Sequence, residues 1–195
     1  MNLIKFSLST LALSTLLFAS SYKIDSKTSS ADFSMKYSKS NDFKIEFKTV
    51  GGEFIYDEKK LILNSFKSEI DLEDFVTSKD ELRTLVEDKI FNIKKFPKIK
   101  FVATQIEEDR IIGDLTINNV TKNIEFDLEN SGEFFGKLYL KLSTKIKRAY
   151  FDLTWDELLD TGSSNFDNEI DVEINIEANK INNLPFSKVI EKNKK

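Results

Sequence analysis

The side chains with the widest chemical range in this chain are carboxylates. Its 195 residues include 33 Asp plus Glu and neither His nor Cys. Without imidazole or thiol, the usual nucleophile–base pairs are excluded, as are zinc sites built on those ligands. What is left is acid–base or glycosidic work by paired carboxylates. Asp57/Glu58, Glu107/Glu108 and Glu157/Asp160 are the candidate pairs. Each falls in an expected turn or on an expected exposed face, so they read as solvated surface charge. Asp160 to Glu169 (DTGSSNFDNE) offers oxygen ligands but lacks the spacing of a calcium loop with its closing Glu, and reads as a loop. No catalytic, metal or cofactor site is expected.

Other motifs reduce to structure in the same way. Asn119-Val120-Thr121 matches a glycosylation acceptor but reads as hairpin residues. Lys94, Lys95, Lys98 and Lys100 stand beside Phe91, Phe96 and Phe101, an arrangement that single-stranded nucleic acid would use. The formal net charge of −4 argues against that partner, because a phosphate backbone wants a basic face. Solvent-facing lysines on one side of a strand, with Phe in the core, is the simpler reading. Gly51-Gly52 is a strand break, not a phosphate cradle.

The composition points to burial of apolar surface. Seventeen Phe against one Trp and two Pro is an unusual ratio. Phe is bulky and has no polar handle, so most of these rings should be buried or line something greasy.

The elements that position them are strands. Phe33, Met35 and Tyr37 alternate with polar residues, as do Phe43, Ile45 and Phe47. Gly51-Gly52 suggests a bulge or sharp bend, and Phe54 to Tyr56 continues the strand. Leu61 to Ile70 forms the next one. Residues 72–96 interrupt the pattern, with one short helix expected over Ser78–Lys89, where Ser78 and Glu81 have the spacing of a capping box. Strand signals return at 98–106, 111–117, 121–129, 134–147 and 168–179. Asn118-Asn119 should form a tight hairpin turn, because two adjacent Asn tolerate positive φ. A further helical turn is expected at Trp155–Leu159.

Eight or more strands with no βαβ rhythm form an antiparallel meander that must pack on a second sheet or close on itself. A closed barrel of about eight strands either holds one elongated ligand or is filled by its own side chains.

The chain ends differ from this body. Residues 1–21 read as a secretory signal: Lys5 is their only charge, Leu8 to Phe18 is apolar apart from Ser and Thr, and Ala19-Ser20-Ser21 offers small residues for cleavage before Tyr22. The apolar run is too short to span a bilayer, which takes about 20 residues. Residues 181–195 read as a flexible C-terminal extension.

One stretch carries a family likeness. Asp80-Glu81-Leu82-Arg83 is followed in order by Phe91-Asn92-Ile93, Phe96-Pro97-Lys98-Ile99-Lys100-Phe101, Gly113-Asp114-Leu115-Thr116-Ile117 and Val120-Thr121-Lys122. In this order they resemble the YceI-like family of periplasmic polyisoprenoid-binding proteins, from Tyr22 to about Lys180. The chain departs from the family at Asp152, where a glycine is usual. The resemblance implies a single lipocalin-like antiparallel β-barrel domain over residues 22–180, mainly β with one or two short helices. It also implies a non-enzymatic periplasmic carrier of an isoprenoid or fatty-chain lipid. The inward residues that would line such a channel are Phe33, Met35, Phe43, Phe47, Phe54, Phe101, Leu115, Ile117, Phe126, Leu140, Val172 and Ile174. Arg83, Lys122 and Arg148 are the candidates for a headgroup at its mouth. A filled barrel acting as a structural or interaction module, pairing as a homodimer through an exposed β face, is the alternative. A carboxylate-based hydrolase comes third.

Overall fold

A computed structural model describes residues 19–37, 41–78, 80–153 and 168–181. Nine antiparallel strands follow one another: β1 (Ala19–Ile24), β2 (Ser30–Tyr37), β3 (Asn41–Asp57), β4 (Ile62–Thr77), β5 (Lys98–Ile106), β6 (Arg110–Ile117), β7 (Val120–Phe134), β8 (Lys137–Lys147) and β9 (Glu169–Lys180). Each pairs with its sequence neighbour from β2 onward, and β9 returns to pair with β2. The result is a closed eight-membered ring, which leaves no sheet edge exposed along that circuit.

The ninth strand shares a ring position. β1 and β2 run in the same direction against β3: Ala19 to Lys23 pair with Asp57 to Glu53, and Ala31 to Tyr37 pair with Phe47 to Asn41. Both also reach β9, β1 at Ala178–Lys180 and β2 at Asp171–Asn175. They are two halves of one long strand, broken at Asp25–Ser29. The break is tied down: Ser29 is buried, and its hydroxyl donates to the Glu177 carbonyl while accepting from the Glu177 N–H. β1 begins at Ala19, ahead of the cleavage point expected before Tyr22.

One glycine lets neighbouring strands approach. Gly52 lies at φ 141°, and a Cβ there would stand 2.2 Å from the Lys67 carbonyl oxygen. The pairing through Gly51-Gly52 is nevertheless regular. The register shifts fall on either side, between Phe47 and Thr49 and between Ile55 and Tyr56. The expected bulge at the glycines is therefore two bulges flanking them, and Gly52 serves close approach. β4 runs on to Thr77, further than its apolar alternation suggested, and β7 carries through to Phe134.

Between β4 and β5 the chain forms a cap over one end of the ring. It is a 3₁₀ turn (Asp80–Leu82), an α turn (Arg83–Leu85) and a π turn (Val86–Ile90) in succession, not one regular helix. Ser78 does not cap it. Its hydroxyl accepts from the Lys44 N–H and its own N–H donates to the Lys44 carbonyl, extending the β3–β4 ladder. At the β6–β7 hairpin, Asn118 and Asn119 take φ of 49° and 63°, the left-handed pair of a tight turn. Asn118 Nδ2 also donates to the Ile90 carbonyl at 2.8 Å, pinning the cap to the hairpin. Asp152 adopts φ 53°, a left-handed turn that glycine also suits. The expected helical turn at 155–159, the pair Glu157/Asp160 and most of the loop 160–169 lie outside the described residues.

Candidate ligand-binding interior

Period-2 alternation on eight ring strands delivers one side of every strand to the inside. The twelve residues Phe33, Met35, Phe43, Phe47, Phe54, Phe101, Leu115, Ile117, Phe126, Leu140, Val172 and Ile174 are each at most 4% exposed and belong to one contiguous apolar cluster. Their aromatic members form two groups. Near the cap, Phe91 from the connection packs edge-on against Phe33 and Phe47, and Phe47 meets Phe75. Towards the other end, Tyr22, Phe54, Phe66, Phe101 and Phe126 form a continuous chain of ring contacts, from 5.0 to 6.2 Å between neighbouring centroids. Val86, Ile90 and Ile93 complete the plug beneath the cap.

Buried charge in the described residues is confined to Asp57 and Arg148. These lie at opposite ends of the ring. Arg148 closes β8 near the cap, with its N–H donating to the Asn168 carbonyl. Asp57 ends β3, and its Oδ1 accepts from the backbone of Lys59 and Lys60. The Asp57 carboxylate is thus a buried turn cap and not the solvated surface charge expected of it.

The end away from the cap is crossed by a polar latch. The Tyr22 hydroxyl donates to Glu58 at 3.1 Å and lies 3.3 Å from Glu133 on the β7–β8 hairpin. Lys180 pairs with Glu58. Asn130 Nδ2 donates to the Tyr56 hydroxyl at 3.0 Å and to the Leu61 carbonyl at 3.2 Å. These bonds join the β3–β4 and β7–β8 hairpins across the mouth. Burial, and then its bond to Glu58, pushes the Tyr22 phenol above its ordinary range, so it stays a donor. The Lys180 ammonium, followed by a bond from Ser20, holds Glu58 below the usual carboxylate range. Sequence reasoning missed this latch because its members lie far apart in the chain, and Glu58 looked like one more surface carboxylate.

The three headgroup candidates are placed differently. Arg83 lies in the cap, 4.4 Å over the Phe75 ring, with Nη1 donating to the Phe75 carbonyl and Nε paired with Glu87. Arg148 is buried as described. Lys122 pairs in register with Leu115, on the inward parity of Phe126, yet is exposed at the rim near the cap. Of the four lysines beside Phe91, Phe96 and Phe101, Lys98 pairs with Glu69, Lys94 pairs with Asp88, Lys95 lies over Phe96 and Lys100 is exposed, while Phe91 and Phe101 are buried. Glu107 pairs with Arg110 and accepts from Gln105. Among the described residues, no three acidic side chains converge as metal ligands. No described helix is long and apolar enough to cross a membrane.

The family model described as a YceI-like domain matches residues 22–178. A UPF0312 protein of Photorhabdus laumondii is 32% identical over 92 residues, covering 45% of this chain and 48% of the relative. A UPF0312 protein of Staphylococcus aureus is 26% identical over 110 residues, covering 52% and 64%. The match therefore spans less than two thirds of these relatives. Among solved structures, the fold is similar to that of BcnA from Burkholderia cenocepacia, with a TM-score of 0.66 at 19% identity over 79% of this chain and 98% of that one. A polyisoprenoid binding domain from Saccharophagus degradans gives 0.67 at 14% identity over 82% and 98%. The YCEI protein of Campylobacter jejuni gives 0.60 at 24% identity over 71% and 85%.

Proposed function

The chain belongs to the YceI-like domain family, and we propose that it is a periplasmic binding protein, not an enzyme, that carries a long apolar ligand inside its barrel. The ligand class is an isoprenoid or a fatty-chain lipid. One observation carries this reading: every ring strand sends apolar side chains inward, and among the described residues buried charge is kept to the two ends. Such an interior recognises length and greasiness, not functional groups. The Saccharophagus neighbour, described as polyisoprenoid binding, supports the ligand class.

Affinity comes from removing the ligand's own apolar surface from water, at about 25 cal/mol per Å². A long chain gains on the order of 10 kcal/mol before ordering costs. Because the interior already holds packed Phe rings, a bound chain exchanges ring–ring contacts for ring–chain contacts. The net gain is what the chain itself removes from water. Polar groups at either end set headgroup preference only.

The test is native mass spectrometry of protein purified without detergent, with organic extraction of what it holds. A bound apolar species of defined mass is expected. Protein that is empty, and that takes up no prenyl or fatty chain on challenge, overturns the reading. It would favour the second one, a filled barrel serving as an interaction module, which the contiguous packed core supports. Export, which places the protein in the periplasm, rests on the leader sequence of residues 1–21.

A further inference from the structure

The mouth crossed by the Tyr22 latch carries a feature that ligand burial does not use. Three large apolar residues stand in solvent on its two hairpin tips: Leu61 on the β3–β4 turn at 63% exposure, and Phe134 and Phe135 on the β7–β8 turn at 55% and 103%. Leu61 and Phe135 also occupy left-handed backbone, at φ 58° and 53°. Turns of that geometry favour Gly, Asn or Asp, and a bulky apolar residue there is both strained and unburied. At the Asn118-Asn119 turn, by contrast, the same backbone is filled by residues that suit it. Two independent tips, joined over one mouth by Asn130, share the same departure. Strain retained at exposed positions points to use.

The shape and the chain around these tips specify the occupant. They are convex projections, suited to a deformable apolar phase more than to a fitted partner groove. Exposed Lys59 and Lys60 precede Leu61 on the same turn. Across the mouth, Glu58 is already engaged by Lys180 and Glu177 by Lys137. Ile181 donates its N–H to the Ser21 carbonyl, so the tail bearing Lys188, Lys192, Lys194 and Lys195 leaves from the same rim.

We propose that the β3–β4 and β7–β8 tips form a membrane-docking edge, with Leu61, Phe134 and Phe135 entering the acyl boundary of a lipid bilayer while Lys59 and Lys60 meet anionic headgroups. Lysines snorkelling beside apolar anchors is the general chemistry of interfacial binding. Docking in this pose turns the latched mouth toward the bilayer. The surface stands on its own, whatever the interior carries.

The test uses the full chain with vesicles of phosphatidylethanolamine and phosphatidylglycerol. In a Phe135→Trp variant, lipids brominated on the acyl chain should quench the new fluorophore, over the background given by Trp155, the only Trp in the sequence. This readout reports the tip itself, whatever else tethers the chain. Phe134→Ser with Phe135→Ser should lower vesicle flotation about tenfold, as loss of two interfacial anchors requires. Phe135→Asn, which suits the left-handed turn, should weaken flotation while leaving the unfolding temperature unchanged or higher, which separates docking from folding. Absence of quenching at position 135 overturns the proposal. So does a concentration-dependent dimer in gel filtration that the same substitutions dissolve, because a second copy would then cover the tips. Neither result depends on whether extraction recovers an interior ligand.

Discussion

The tip of the Phe101 ring occupies space that any side chain at residue 113 would need: Phe101 Cζ lies 2.7 Å from where Gly113 would carry a Cβ. The Val102 carbonyl oxygen, at 2.3 Å, and Ala103 Cα, at 2.8 Å, crowd the same point. Two of these three atoms are backbone and cannot swing aside. Gly113→Ala should therefore destabilise the barrel by about 1–3 kcal/mol, the cost of overpacking a closed core. Urea unfolding measures it. A neutral Gly113→Ala would mean that β5 and β6 are not in the register described.

The aromatic chain separates a carrier from a merely packed core. Phe47→Trp, Phe101→Trp and Phe126→Trp add bulk to the interior without polarity. If the interior accepts a ligand, each should reduce the amount of extractable lipid more than it lowers the urea midpoint. Equal losses in both would identify these rings as ordinary core.

Asn118 holds the cap through one side-chain bond to Ile90 and one left-handed residue. Asn118→Ala removes the first and strains the second, for a loss of about 2 kcal/mol. Hydrogen exchange should quicken across Val86–Ile90 before it does in the ring strands, because the cap is the part that the bond restrains. Uniform quickening would mean that cap and ring open together.

The latch should answer to acid. Glu58 is held below its ordinary range chiefly by Lys180, so its ionised form is favoured in the folded protein. Its stabilising effect is complete above the unfolded carboxylate value of about 4.3 and is lost as pH falls through the lower folded value. Between pH 5 and 8 the mouth should be insensitive to pH, and it should loosen only below about pH 4. Nuclear magnetic resonance of the Tyr22 ring follows it, and Glu58→Gln should remove the acid response.

The β alternation and the Phe content made the barrel legible, because a ring of eight strands repeats one simple rule: inward apolar, outward polar. The twelve inward residues were readable for that reason. The cap was readable as an interruption but not as three helix types, because Val86, Ile90 and Phe91 are packed into the core there, and Ser78 bonds to Lys44 of β3 instead. The break between β1 and β2 was invisible, since its hydrogen bonds run from Ser29 to Glu177. Leu61 and Phe135 were overlooked because no local rule places a large apolar residue in a left-handed turn.

The shared ring position of β1 and β2 has a consequence for biogenesis. The first strands to be made find β3 soon after, at Phe54 for Tyr22 and Phe47 for Ala31, but their other partner comes last: Ala31 must wait for Ile174, and Tyr22 for Lys180. The hairpins from β3 to β9 can form as they emerge, but the circuit cannot shut until its final strand has arrived, and that last step carries the full loop-closure cost. A chain built this way remains an open sheet until its last strand has been made.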